Sequence, residues 1–90
     1  MAVIQRSEQV RNPNGMHVRP ASEFVKVASR FRAEVRVEKD GLEVNGKSIM
    51  GVMMLAAEYG STLTIRAEGD DAQEAVDALA QFVAAAFEAG

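Results

Sequence analysis

The segment from Glu34 to Val44 constrains the fold more than any other. Val35 and Val37 alternate with Glu34, Arg36 and Glu38, the two-residue period of a strand with one wet face. Asp40-Gly41 interrupts the pattern with a dipeptide suited to a two-residue hairpin, and Leu42 and Val44 resume it on the return. An antiparallel pair with one apolar face must be covered by something else.

The covering elements are readable from a change of period. Apolar residues at Ala21, Phe24, Val25, Ala28 and Phe31 recur at helical spacing and predict a helix from about Arg19 to Phe31. Ser48 suits the N-cap of a short helix ending near Tyr59-Gly60. Asp70 or Asp71 is expected to cap a last helix, with apolar positions at Ala72, Ala75, Val76, Leu79, Phe82, Val83, Ala86 and Phe87. Val3 to Arg11 reads as a weakly alternating first strand. Leu63, Ile65 and Ala67 alternate with Thr64, Arg66 and Glu68 in a fourth. The order β-α-β-β-α-β-α predicts an α+β fold, an antiparallel sheet with its helices on one face. Periodicity does not choose the strand order, and a ferredoxin-like split βαβ arrangement shares the first six elements.

The chain has 90 residues, 48% of them hydrophobic and 26% charged, without repeats or linkers. That suits a single domain over residues 1–90 with one core. A net charge of −3 argues against nucleic acid as a partner and offers no basic face to anionic lipid. There is no cysteine and one histidine, so neither a disulfide nor a metal site is expected. No glycine-rich nucleotide loop appears. No uncharged stretch approaches the roughly 20 residues of a membrane span. Met1 to Arg6 lacks the pattern of a secretory leader, and the expectation is a cytoplasmic protein.

The one histidine stands in Gly15-Met16-His17-Val18-Arg19-Pro20-Ala21. Proline is tolerated in the first turn of a helix, where an N–H has no intrahelical acceptor in any case. His17 therefore falls just outside a helix N-terminus, where unpaired N–H groups and the positive end of the dipole favour an anion. Gly15 permits a turn that presents the ring. Imidazole has an unperturbed pKa of about 6.5, so much of it is neutral and nucleophilic at pH 7. A nucleophile, the fixed charge of Arg19 and a helix start together describe a place to hold a phosphoryl group.

This stretch resembles the active-site signature of the HPr family, the histidine-containing phosphocarriers of the bacterial phosphotransferase system. A second stretch, Asn45-Gly46-Lys47-Ser48-Ile49-Met50-Gly51-Val52-Met53, is similar to that family's regulatory-serine segment, at the family's spacing. The resemblance implies an open-faced β-sandwich with strand order 1-4-2-3 and three helices on one face. It implies that His17 accepts phosphate on Nδ1 from the phosphoenolpyruvate-dependent first enzyme and passes it to sugar-specific acceptors. Arg19 and backbone N–H groups would stabilise the transferred charge, with Asn14 and Gly15 shaping the loop. The protein would be a stoichiometric relay with a phosphohistidine intermediate, without a cofactor and expected as a monomer. Val18 adds bulk beside His17 where the family commonly has smaller residues.

The resemblance also makes Ser48 the target of a serine kinase and phosphorylase, although by position alone it is fully accounted for as an N-cap. At about 100° per residue, Ile49, Val52 and Ala56 share one side of the Ser48 helix, with Leu55 near its edge. Met50, Met53, Met54 and Ala57 spread over an adjoining arc. Such an arc exceeds what a short surface helix needs and reads either as deep burial or as an adaptable docking patch. The family's partner contacts match Ile49, Met50 and Met53, and in the first helix Val18, Ser22 and Lys26. A transcriptional regulator is a further partner of this kind. A nitrogen-type branch without sugar transport is the alternative within the family, and Lys47-Ser48-Ile49-Met50-Gly51 argues for the kinase-regulated form. A ferredoxin-like binding module with an incidental histidine is the alternative outside it.

Overall fold

Asp40 and Gly41 take positive φ angles of 52° and 87°, the two left-handed residues that a type I′ hairpin turn requires. The computed structural model describes residues 3–85. Its elements are β1 (Val3–Gln9), α1 (Val18–Ala28), β2 (Glu34–Lys39), β3 (Leu42–Asn45), α2 (Ile49–Met54), β4 (Thr62–Glu68) and α3 (Ala72–Ala84). The hairpin pairs Glu38 with Glu43 and Lys39 with Leu42. On its other side β2 pairs with β4, which pairs in turn with β1, all antiparallel. The order is β1-β4-β2-β3. β4 thus fills the place between β1 and β2 that a ferredoxin-like arrangement gives to β3, and that alternative is excluded.

Period-two alternation sorts the sheet into two faces. Val35, Val37, Leu63, Ile65 and Ala67 point into the core, where α1 and α3 supply Ala21, Phe24, Ala28, Ala75, Val76 and Leu79. Phe24 and Phe82 meet edge-to-face with ring centroids 6.3 Å apart, which joins the two helices above the sheet. Full burial of each large apolar side chain contributes roughly 1.5–3 kcal/mol. The opposite face is polar: Ser7 and Thr64 share a 3.0 Å hydroxyl hydrogen bond, and Arg66 bridges Gln5 and Glu43.

Several boundaries differ from the periodicity, each for a local reason. β1 ends at Gln9. Val10 is buried, and its N–H donates to Ser61 O while its carbonyl accepts from Gly60, both at 2.8 Å. α1 starts one residue early and ends at Ala28. The Arg30 and Phe31 N–H groups then turn back three residues to Val27 and Ala28, which tightens the chain and still packs Phe31 on the core. Leu42 continues the alternation yet lies exposed on the edge strand. Ala86 and Phe87 of the expected last helix lie outside the described residues.

Asp71 is the larger correction. It stands at the N-cap position of α3, but its carboxylate caps nothing there. It accepts instead from Arg32 N–H at 2.9 Å and Ala33 N–H at 2.8 Å, tying α3 to the α1–β2 connection. Donation from Arg32 is the main reason its carboxyl sits below the ordinary value; desolvation opposes this, and Ala33, its own N–H and the charge of Lys47 reinforce it. A carboxyl depressed in the folded state adds stability above its ordinary pKa of about 3.9. That stability is lost as pH falls through the lower folded value. Asp71→Asn is therefore expected to melt lower than the parent at about pH 7, with the gap narrowing toward about pH 2 as the carboxyl takes up its proton. Thermal unfolding at the two pH values checks this; a gap of equal size at both would contradict it.

Candidate functional site

The loop before α1 is built around a β-turn with Pro13 and Asn14 at its centre. Gly15 N–H donates to Asn12 O at 3.0 Å, and the Asn12 side-chain amide donates back to Gly15 O at 3.3 Å. Gly15 has φ +74°, and a Cβ there would stand 2.4 Å from Ala57 O. Met16 N–H donates to the same Ala57 carbonyl at 2.9 Å. The loop is thus pressed against the segment after α2, with Met16 buried beneath it. Asn14 is an exposed turn residue, and the side chain that holds the loop is Asn12, buried with its Oδ1 unpartnered. Sequence reasoning passed over Asn12; the Asn-Pro pair, a turn-initiation signal, was the clue.

This loop delivers His17 to the N-cap of α1 with extended backbone angles, φ −79° and ψ −166°. Its carbonyl accepts the first helical bond, from Ala21 N–H at 2.9 Å. The ring makes no capping bond, is half-buried, and is held by no hydrogen bond among the described residues. Pro20 has no N–H, so the helix start leaves three donors without an intrahelical acceptor, those of His17, Val18 and Arg19. The Arg19 side chain is exposed and enters no ion pair among the described residues. An unengaged imidazole, the unspent backbone donors and an exposed cation share one end of α1, where the helix dipole is positive.

α1 and α2 pack against each other, and two contacts give their relative direction. Met16 ties the start of α1 to Ala57 beyond the end of α2, while Lys47 Nζ, just before α2, donates to Phe31 O beyond the end of α1 at 2.7 Å. The helices therefore run antiparallel, and Ser48 lies at the end opposite His17. α2, six residues long, spans about 9 Å between them. Ser48 is half-buried, and its Oγ accepts from Gly51 N–H at 3.0 Å. α2 stops at Met54, well short of Tyr59-Gly60, because Ala56 adopts φ +49°. That turn buries Ala57 and leaves Ala56 exposed, reversing the assignment made from helical spacing.

Between the two ends lies an apolar surface. Met50, Met53, Met54 and Ile49 are exposed, whereas Val52 and Leu55 are buried. Val18 is exposed on the first turn of α1, Ser22 is half-buried, and Lys26 pairs with Glu23 at 3.3 Å. Val52→Ala is expected to lower stability by roughly 2–3 kcal/mol through lost burial and a residual cavity. Met50→Ala and Met53→Ala are expected to melt within a few degrees of the parent. Thermal unfolding of the three variants checks this, and a loss at either methionine as large as that at Val52 would show a buried arc.

A family model described as the PTS HPr component phosphorylation site matches residues 4–85, nearly the whole chain. The chain belongs to the HPr family. The phosphocarrier protein HPr of Cupriavidus necator is 42% identical over 88 residues, covering 98% of this chain and 99% of that protein. The HPr-like protein Crh of Halalkalibacterium halodurans is 47% identical over 81 residues, covering 90% and 96%. The crystal structure of HPr from Bacillus anthracis strain Ames superposes with a TM-score of 0.88 at 52% identity, over 92% of this chain and 99% of that one. The β1-β4-β2-β3 sheet with three helices is the HPr fold. Among the described residues no helix is long and apolar enough to cross a membrane, and no group of acidic and histidine side chains is placed to hold a metal.

Proposed function

We propose that this HPr-family chain is a single-domain cytoplasmic relay of the phosphotransferase system, taking a phosphoryl group from the phosphoenolpyruvate-dependent first enzyme and passing it to sugar-specific acceptors. The observation that carries the reading is His17 at the N-cap of α1 with its ring unengaged. The lone pair on Nδ1 attacks phosphorus, the bond to the first enzyme breaks, and the electron pair of that bond returns to the enzyme. The Val18 and Arg19 N–H groups and the Arg19 guanidinium face the charge spread over the transferring oxygens. The same steps in reverse deliver the group to the acceptor.

Ser48 is the regulatory site in this reading, modified by a serine kinase and phosphorylase. Its position at the far end of α2 means that a phosphate there borders the apolar surface without touching His17. Its nearly two negative charges act on docking, by repelling acidic partner surfaces and adding a desolvation cost. Ile49, Met50, Met53, Val18, Ser22 and Lys26 form the docking surface, for the first enzyme, the acceptors and a transcriptional regulator. The chain works as a monomer. The Lys47 to Gly51 stretch favours the sugar branch over a nitrogen-type one.

A reconstituted relay tests this. With the first enzyme, labelled phosphoenolpyruvate and a sugar-specific acceptor, label is expected to pass through the chain to the acceptor. Ser48→Asp is expected to fold normally and accept about tenfold more slowly. Met50→Ala and Met53→Ala each weaken first-enzyme binding by about 1–2 kcal/mol. Label that stops at the first enzyme, or Ser48→Asp and authentic phosphoserine protein at parental rates, would contradict the respective part.

A further inference from the structure

We propose that Met50, Met53 and Met54 form an oxidation site, at which a peroxide converts thioethers to sulfoxides and slows phosphoryl acceptance. The effect on acceptance rests on the reading of α2 as docking surface. The four described methionines divide sharply: Met50, Met54 and Met53 are 76%, 66% and 38% exposed, while Met16, next to His17, is 6% exposed. Susceptibility to two-electron oxidants follows access of the oxidant to sulfur, so the buried methionine is an internal control.

The chemistry needs only the peroxide. A sulfur lone pair attacks one peroxide oxygen, an S–O bond forms and the O–O bond breaks. The second oxygen leaves as hydroxide and takes the proton from the oxygen now bound to sulfur, giving the sulfoxide and water. Sulfur loses two electrons and the peroxide oxygens gain them. The product replaces a soft apolar thioether with a polar acceptor. Water satisfies that acceptor on the free protein, but a docking partner must strip the water away.

The fold tolerates the change. α2 is held by the Ser48 cap and by the buried side chains of Val52 and Leu55, none of which carries sulfur. Oxidation therefore alters what α2 presents while leaving its attachment intact. The three sulfurs occupy one short helix between His17 and Ser48, so any partner that covers this surface meets at least one of them.

The test treats the full chain with dilute hydrogen peroxide, maps sulfoxide by peptide mass spectrometry, and measures unfolding and phosphoryl acceptance before and after. Met50 and Met54 are expected to oxidise first, then Met53, with Met16 at least about tenfold slower. The unfolding midpoint is expected to stay near that of the untreated chain while acceptance falls about tenfold. Treatment with methionine sulfoxide reductases restores the rate. A variant with leucine at positions 50, 53 and 54 is compared only with its own untreated sample and is expected to keep its starting rate. Complete oxidation of the three with unchanged acceptance, the same fractional loss in the leucine variant, or equal oxidation of Met16 would overturn the proposal. Failure of the carrier reading shows separately, as untreated protein that accepts no phosphoryl group, and would overturn the acceptance effect with it.

Discussion

Gly15→Ala is expected to destabilise the chain by about 2–4 kcal/mol and to slow phosphoryl acceptance through His17 at least about tenfold. Two effects combine. A left-handed backbone at an alanine costs roughly 1–2 kcal/mol, and the new Cβ would stand 2.4 Å from Ala57 O and 3.0 Å from Glu58 Cα. Both contacts are backbone, so no side-chain rotation relieves them. The Ala57 carbonyl cannot simply withdraw, because it accepts the Met16 N–H. The loop must lift away, and the residue after Met16 is the N-cap that presents the imidazole. Gly41 is the control: its φ is +87°, but nothing lies within 4 Å of a Cβ there. Gly41→Ala should lose about 1–2 kcal/mol and accept phosphate at the parental rate. Chemical denaturation with acceptance assays on both variants checks the pair; equal behaviour in both assays would show that the Ala57 contact does not position His17.

The features legible in the sequence were those decided within a few residues. The Asp40-Gly41 turn needs two left-handed residues and supplies them; the flanking alternation needs only the strand period. Ser48 caps α2 as its position suggests, because the acceptor and the Gly51 N–H lie in one turn. The His17, Arg19 and Pro20 grouping at a helix start is local for the same reason. What depended on distant partners was not legible. An acid at a helix start is indistinguishable from a cap until Arg32 and Ala33 are brought to it, as happens at Asp71. The left-handed Ala56 that ends α2 carries no compositional signal, so helical spacing ran on past it. Strand order rested on family resemblance, since β3 and β4 offer no periodicity that says which of them lies between β1 and β2. The antiparallel packing that sets Ser48 opposite His17 emerged only from the Lys47–Phe31 and Met16–Ala57 contacts.

His17→Ala is expected to abolish phosphoenolpyruvate-dependent phosphorylation, the largest effect of all. The chain has one histidine, and it stands at the N-cap of α1. The ring is half-buried and makes no capping bond, so its removal leaves the Ala21 N–H bond to the backbone carbonyl of residue 17 intact. The variant should therefore unfold close to the parent. Incubating the chain with the first enzyme and phosphoenolpyruvate, then measuring the intact mass, reads the outcome in one step. A gain of one phosphoryl group in the parent is expected, labile to acid and stable to base, with phosphorus NMR placing it on Nδ1, and no gain in His17→Ala. An equal gain in the His17→Ala variant would contradict the account.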